Sequence, residues 1–431
     1  MDEEKFDAIV VGGGLAGIAC AYTLAKKGGN VIVFERGDYC GAKNVTGGRI
    51  YLAPVREMFP ELWAKAPLER PIVREEVVVM GEEDSLTLSY SNQEFADEPS
   101  SYSINRAKFD KWFAKQAARA GATIVPKAKV ESLVKGDSGE VKGVVVGGEE
   151  MLADVVVLCE GALGLLAREA GLAKPLAPAH FAVGVKEVIE LPEKTIEDRF
   201  ALNPGEGAAR LFMGDATGGK FGGGIIYTNK TSLSIGLLFG VHDACTLGEG
   251  EAVPEMLERF KSRSDVAPLI EGGSLAEYSA HVVPESGKGG MSKLYADGVL
   301  VAGEAAGFSL NDGLIVRGMD YAMASGYYAA LAVCEAEEKQ DFTAQTLSCY
   351  VDKMQDSFCL QDMDNYERVP ESLNHPRLFN YYPKLIGGIM KDLFTVPSGP
   401  KPRIFQTLKK HVTGKVVRDI AFKDFKKVKN L

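Results

Sequence analysis

Hydrophobic and polar positions alternate between two periods along this chain. Phe6-Asp7-Ala8-Ile9-Val10-Val11 is a short apolar, β-branched run, the pattern of a buried parallel strand. Ile18 to Lys27 is rich in Ala and Leu and predicts a helix, which Gly28-Gly29 stops. Val31-Ile32-Val33-Phe34 predicts a second strand. Two further buried strands are read at Asp154-Val155-Val156-Val157-Leu158 and Asp297-Gly298-Val299-Leu300-Val301, the last leading into a helix from about Leu314 to Glu335. Strand-like runs also occur at Leu211-Phe212-Met213 and Leu233 to Phe239. Internal repeats and low-complexity tracts are absent from the sequence. The order of elements predicts an α/β fold.

Between the first strand and its helix stands Gly12-Gly13-Gly14-Leu15-Ala16-Gly17, which fits G-x-G-x-x-G. The second strand ends in Glu35, eighteen residues past Gly17. Gly12 suits a tight turn, Gly14 lets backbone approach a pyrophosphate, and Gly17 lets helix and strand pack closely. The helix N-terminus offers free N–H groups and a positive dipole end to phosphates. Glu35 is placed to accept hydrogen bonds from ribose hydroxyls. Strand, helix, strand and acid in register make this a dinucleotide site, with NAD and FAD both open at this point.

The later segments narrow the choice. Asp154 to Gly161 ends in Cys159-Glu160-Gly161, and Asp297 to Phe308 passes through Gly303-Glu304-Ala305-Ala306-Gly307. With these the sequence resembles the glutathione-reductase-type flavoproteins. That resemblance implies a Rossmann-like FAD domain whose second segment closes over the dinucleotide. It also implies that the third segment contacts the ribityl chain and pyrophosphate. The family pattern has Gly-Asp where this chain has Gly303-Glu304. Within that superfamily the chain is most similar to the electron-transfer-flavoprotein:quinone oxidoreductases, in particular their FixC-like subunits. The residues carrying this are Gly41-Ala42-Lys43-Asn44-Val45-Thr46-Gly47-Gly48-Arg49, Arg106 in Ser103 to Asp110, Phe221-Gly222-Gly223-Gly224-Ile225-Ile226-Tyr227, Asn311-Asp312-Gly313 and Val316 to Asp320.

The resemblance implies one non-covalent FAD. Its contacts would be Gly12, Gly14, Leu15, Ala16, Gly17, Glu35 and Arg36, then Ala42, Lys43, Asn44, Thr46, Gly47 and Gly48. Arg106, Val130, Cys159, Glu160 and Gly161 follow, and then Gly303, Glu304, Gly307, Asn311, Gly313 and Leu314. Gly222 and Gly223 would form a glycine turn meeting the quinone headgroup, where backbone approaches a flat ligand unhindered by a Cβ. A discontinuous FAD domain would take 1–75, 103–180 and 285–340. An antiparallel-sheet quinone domain would take 76–102 and 181–284, and a helical cap 341–431. Full-length family members carry a C-terminal [4Fe–4S] domain. FixC-like subunits do not, so a small ferredoxin-like partner is implied, with the α and β subunits of an electron-transfer flavoprotein. Some such complexes split electrons from NADH between ferredoxin and quinone. The related geranylgeranyl reductases, which saturate prenyl lipids, give an alternative activity, and an FAD-bound scaffold subunit a third role.

Composition is that of an ordinary soluble globular protein, not a disordered one. At 431 residues and 46% apolar content the chain can form two or three domains. A net charge of −10 argues against nucleic-acid binding. Seven cysteines stand at 20, 40, 159, 245, 334, 349 and 359, and five histidines at 180, 242, 281, 375 and 411. Neither set clusters as iron–sulfur or metal ligands do, so no metal and no cluster are expected on this chain. No His, Cys or Ser stands out as an obligatory acid, base or nucleophile, and the flavin is expected to carry the chemistry. Its potential would be tuned by backbone N–H groups around Thr46-Gly47-Gly48 and near Gly313.

Charge is uneven. From Lys401 to Leu431 there are ten Lys/Arg and two Asp/Glu, a net of +8, which leaves −18 for residues 1–400. No apolar run is long enough to span a membrane, and the acidic start lacks the pattern of a signal peptide. A cytoplasmic protein attached peripherally to the inner face of the membrane is expected. Leu378 to Phe394 would meet lipid and the basic stretch after Lys401 anionic headgroups. The alternative reading buries 378–394 in the protein or against a partner and leaves the tail in solvent.

Overall fold

The computed structural model describes residues 5–44, 48–175, 177–247 and 252–429. Strand β1 (Phe6–Val11), helix α1 (Leu15–Lys26) and strand β2 (Val31–Glu35) form the expected βαβ unit. Helix α2 (Arg106–Ala120) and strand β3 (Thr123–Pro126) extend it on one side. On the other lie β4 (Glu149–Leu158), β5 (Tyr295–Ala296) and β6 (Val299–Val301). The spatial order is β5-β6-β4-β1-β2-β3, parallel from β6 through β3. Continuous apolar runs occur because both faces are covered: α1 is buried along almost its whole length. Helix α3 (Met319–Lys339) crosses it so closely that a Cβ on Gly326 would lie 2.0 Å from the Ala16 carbonyl oxygen.

A second sheet of nine strands stands over the carboxyl ends of the first. Its order is Ser274–Pro284, Phe181–Glu190, Ser232–Gly240, Gly222–Thr228, Gly207–Gly214, Leu68–Met80, Ser101–Ile104 and Arg49–Tyr51, with Ser85–Ser91 paired to Leu68–Met80. This differs from the expected antiparallel insert. Leu68–Met80 and Gly207–Gly214 run parallel, because the chain returns to this sheet after building half of the first one. Strands from 49–51 and 101–104 also join it, so the two units share residues that the expected boundaries divided.

The two faces of this sheet differ sharply. The register places Val185, Leu237, Ile235 and Ile226 on the outer face, packed with Met256, Leu257 and Phe260 of the helix Val253–Lys261. The opposite, inner face carries Gly184, Lys186, Val188, Gly223, Ile225, Tyr227, Ser234, Gly236, Leu238, Glu277, Ser279 and His281. Few of these are the large aliphatics that a closed core needs.

The C-terminal region is helical, including α4 (Tyr381–Phe394) and α5 (Ile404–His411). Asp424 is buried and fastens this region. It accepts from Tyr382 Oη at 2.6 Å and Arg377 Nε at 3.1 Å, and lies 2.9 Å from His375 Nε2. Phe379, 7% exposed, packs edge-on against Phe221 at 5.8 Å between ring centres.

Candidate functional site: a glycine-lined cradle under a polar sheet face

The glycines of the first loop separate by what surrounds them. A Cβ on Gly12, whose φ is +104°, would lie 2.3 Å from the Cys159 carbonyl oxygen, where β1 and β4 end side by side. A Cβ on Gly17 would lie 2.0 Å from the Gly12 carbonyl oxygen. Protein packing alone requires both. Gly14 differs: it caps α1 with φ −79°, and a Cβ there would have only Asn44 Nδ2, at 3.8 Å, within 4 Å. The protein leaves room at Gly14, and the first amides of α1 face that room without a side-chain cap. This cradle fits the pyrophosphate of a dinucleotide.

Glu35 holds the cradle's shape. Its carboxylate accepts from Gly13 N at 2.7 Å and Gly37 N at 2.5 Å, pinning the turns on either side of the loop. A carboxylate has further lone pairs, so ribose hydroxyls remain within its capacity. Arg36 is exposed beside it, and Val130 is buried at the start of a strand that pairs with Val146.

Residues 41–44 dock onto α2. Arg106 opens that helix as expected, its guanidinium paired with Asp110 at 2.8 and 2.9 Å. Asp110 also accepts from Asn44 Nδ2 at 2.7 Å, and Gly41 is required by its approach to the Asp110 side chain. Ala42 is half-buried and Lys43 exposed. Thr46 and Gly47 lie outside the described residues. Burial, and then the Glu35 and Asp110 carboxylates, push the Cys40 thiol up to about 12, so it stays protonated beside the loop.

The remaining expected contacts divide into exposed backbone and engaged side chains. Cys159 donates its amide to the Val11 carbonyl at 2.8 Å, and Gly161 (φ +82°) has open space around it. The Glu160 carboxylate accepts from the amides of Leu166 and Ala167 at 2.9 and 2.8 Å. It therefore caps a short helix, and burial raises its pKa. Gly303 donates to Ser325 Oγ at 2.9 Å, with a built Cβ 2.8 Å from that of Ala16. Glu304 reaches across to the inner sheet face, 3.4 Å from His281 Nε2, and Gly307 (φ +90°) packs on Met291.

Two expectations are corrected. The helix expected from about Leu314 begins at Met319. Residues 310–317 form a hairpin instead, and Leu314 at its tip is 60% exposed. Asn311 accepts from Gly313 N at 3.0 Å and Asp312 from Leu314 N and Ile315 N at 2.9 and 2.7 Å, so side-chain turns outcompete the helix. The Gly222-Gly223-Gly224 run is likewise a strand start, not a turn. Built Cβ atoms would lie 2.1 Å from Leu238 O, 2.5 Å from Phe212 O and 2.7 Å from the Phe260 ring, so neighbouring strands and the outer helix require glycine at all three.

The inner sheet face meets the cradle through residues that motif reasoning passed over. Tyr227 packs on Gly48, Glu75 pairs with Arg49 at 2.9 Å, and His281 faces Glu304. Lys186 sits between them. The available signal was a Lys inside Val183-Gly184-Val185-Lys186-Glu187-Val188, on the same face as Gly184.

Comparison with known proteins agrees with this architecture. A family described as FAD dependent oxidoreductase matches residues 7–75 and 97–331, and the ETF-QO/FixC family C-terminal domain matches 369–423. The chain is 46% identical over 407 residues to a protein named FixC from Escherichia coli O157:H7, covering 94% of each. It is 42% identical over 413 residues to a probable electron transfer flavoprotein-quinone oxidoreductase of Escherichia coli strain K12, covering 95% of each. In fold it is similar to the crystal structure of a geranylgeranyl bacteriochlorophyll reductase-like protein from Thermoplasma acidophilum. The TM-score is 0.73 at 20% identity, over 97% of this chain and 99% of that one.

Proposed function

The chain belongs to the ETF-QO/FixC family of FAD-dependent oxidoreductases, and on that footing we propose that it passes electrons from an electron-transfer flavoprotein to a membrane quinone. The observation carrying this reading is near full-length similarity to those relatives, including the C-terminal family domain at 369–423. In this reading the donor is an αβ flavoprotein, a small [4Fe–4S] ferredoxin-like subunit accompanies it, and this chain itself holds FAD and no iron. Division of electrons between ferredoxin and quinone is the extended form of the same function. The alternative of prenyl-lipid reduction is supported by fold likeness alone.

FAD would supply the two-electron chemistry. The residues here would hold the pyrophosphate at Gly14 and the α1 amides, the adenosine ribose at Glu35, and the flavin beneath the inner sheet face. The quinone headgroup would meet the backbone at Gly222-Gly223. The test is a half-reaction assay on the purified complex: reduced electron-transfer flavoprotein should bleach the FAD, and a soluble quinone should restore its absorbance. FAD-loaded protein that accepts electrons but never passes them to any quinone would refute the quinone role.

Membrane contact would be peripheral, since no helix among the described residues is long and apolar enough to cross a bilayer. The lipid-facing surface is better assigned to the end of α4 and the following helices than to 378–394 as a whole, because Phe379 is interior. Phe394 (81% exposed), Ile404, Phe405, Phe422 and Phe425 stand on the surface among the basic residues of the tail. Replacing Phe405, Phe422 and Phe425 with Ser should abolish flotation with anionic vesicles and leave the melting temperature unchanged. Flotation equal to that of the unaltered protein would place the contact elsewhere.

A further inference from the structure

Lys186 stands apart among the described buried charges, the others being held by an ion pair or by hydrogen bonds. It is only 6% exposed, on the strand Phe181–Glu190, yet its side chain makes no hydrogen bond or ion pair with any described residue. Its neighbour Glu187, on the opposite face of the strand, is also buried but pairs with Lys261 at 2.8 Å. Strand alternation points Lys186 to the inner face, between Gly236 and Ser279 on the two flanking strands. Gly236 lets the two strands approach closely there: a Cβ on it would lie 2.5 Å from the Val185 carbonyl oxygen and 3.3 Å from the Lys186 Cβ.

The charges near Lys186 pull in both directions. Glu277, two residues from Ser279 on the flanking strand, attracts it, Asp110 attracts it more weakly, and Arg106 repels it. Burial lowers its pKa. Asp110 is already held by Arg106 and Asn44, so it has little to offer a second cation. Most of the side chain is buried, but the ammonium keeps access to open space on the inner face, and a cation held there without a protein acceptor suits an anionic partner. Arg106, Asp110 and Asn44 tie this place to the loop at 41–44, on the cofactor side of the sheet.

We propose that Lys186 is a positioning and tuning residue for the flavin: its ammonium faces the bound isoalloxazine ring and pairs with the negative charge that reduction places there. On two-electron reduction the ring takes up two electrons and one proton and becomes an anion, while Lys186 keeps its own proton. A fixed cation in a low-dielectric site stabilises that anion without reorganising, which raises the flavin's midpoint potential. This rests on the reading of the chain as FAD-binding and not on the identity of its electron donor or quinone. A quinone oxygen that becomes anionic on reduction offers similar chemistry. The flavin is favoured because Lys186 lies within electrostatic reach of Arg106 and Asp110, which anchor the cofactor loop.

The experiment compares FAD-loaded wild-type protein with Lys186→Met and Lys186→Arg, flavin content being read first from visible absorbance. Two measurements follow: the midpoint potential, and the affinity for sulfite, which adds to oxidised flavin and leaves the ring anionic. Lys186→Met should shift the potential to more negative values and weaken sulfite binding by about tenfold or more, and Lys186→Arg should restore both. The wild-type potential should fall with pH at the slope of one proton per two electrons down to about pH 6. Unchanged potential and sulfite affinity in flavin-loaded Lys186→Met would overturn the proposal. So would a change confined to the quinone KM, which would assign the lysine to the quinone. If Lys186→Met loses its flavin, the wild-type pH slope decides: two protons per two electrons near pH 6 overturns the proposal. An apoprotein that never takes up FAD in any variant would fail the parent reading instead.

Discussion

Gly14 and Gly223 both belong to runs of three consecutive glycines, and they meet opposite surroundings. At Gly223 a Cβ would press on the Phe212 carbonyl, and the glycines on either side of it are equally confined by Leu238 and Phe260. At Gly14 a Cβ would enter open space, while Gly12 and Gly17 close by are confined by backbone at 2.3 and 2.0 Å. A glycine that the protein's own packing requires says nothing about a ligand. One that the packing leaves free, at an uncapped helix start, marks where something else comes close. The same distinction separates Glu187, paired within the fold, from Lys186, which is not.

The largest effect should come from Gly17→Val. Its branched side chain has no room against the Gly12 carbonyl, and the variant should lose about 3 kcal/mol or more, measured by denaturant unfolding of the apoprotein. A stable Gly17→Val apoprotein would break the packing account of the loop. Gly223→Val comes next. It should cost about 2–3 kcal/mol and depress both half-reactions together, because the sheet itself must shift. Normal stability with both half-reactions intact, or with quinone reduction alone lost, would break the packing account of this run. A third substitution, Glu35→Ala, removes the acceptor of two loop amides and should cost about 1–3 kcal/mol. It should also weaken FAD retention on gel filtration. Retention equal to wild type would mean that the loop keeps its shape unaided.

How much of this was legible in the sequence follows from how local each signal is. The βαβ unit could be read because G-x-G-x-x-G, the apolar strands and Glu35 lie within one short stretch whose conformation is set by near neighbours. The hairpin at 310–317 was misread as a helix start. Asn311 and Asp312 bond to amides two and three residues on, and that competition leaves no mark on hydrophobic periodicity. The Gly222–Gly224 run looked like a turn because glycine spacing does not reveal which strand lies alongside. Leu238, Phe212 and Phe260 are brought there by pairings distant in sequence. Lys186 and His281 were passed over for the same reason. Each reads as an ordinary polar residue of a strand until the register sets them on a single face, near Arg106 and Glu304.

The comparison turns on Gly14, where the effect on the fold should be smallest and the effect on the cofactor greatest. Apoprotein carrying Gly14→Leu should unfold within about 0.5 kcal/mol of wild type, since the side chain enters empty space at φ −79°. Isothermal titration of that apoprotein with FAD should show affinity lowered by about a hundredfold or more, because the leucine occupies the pyrophosphate's place. Wild-type FAD affinity in a normally folded Gly14→Leu protein would contradict the account.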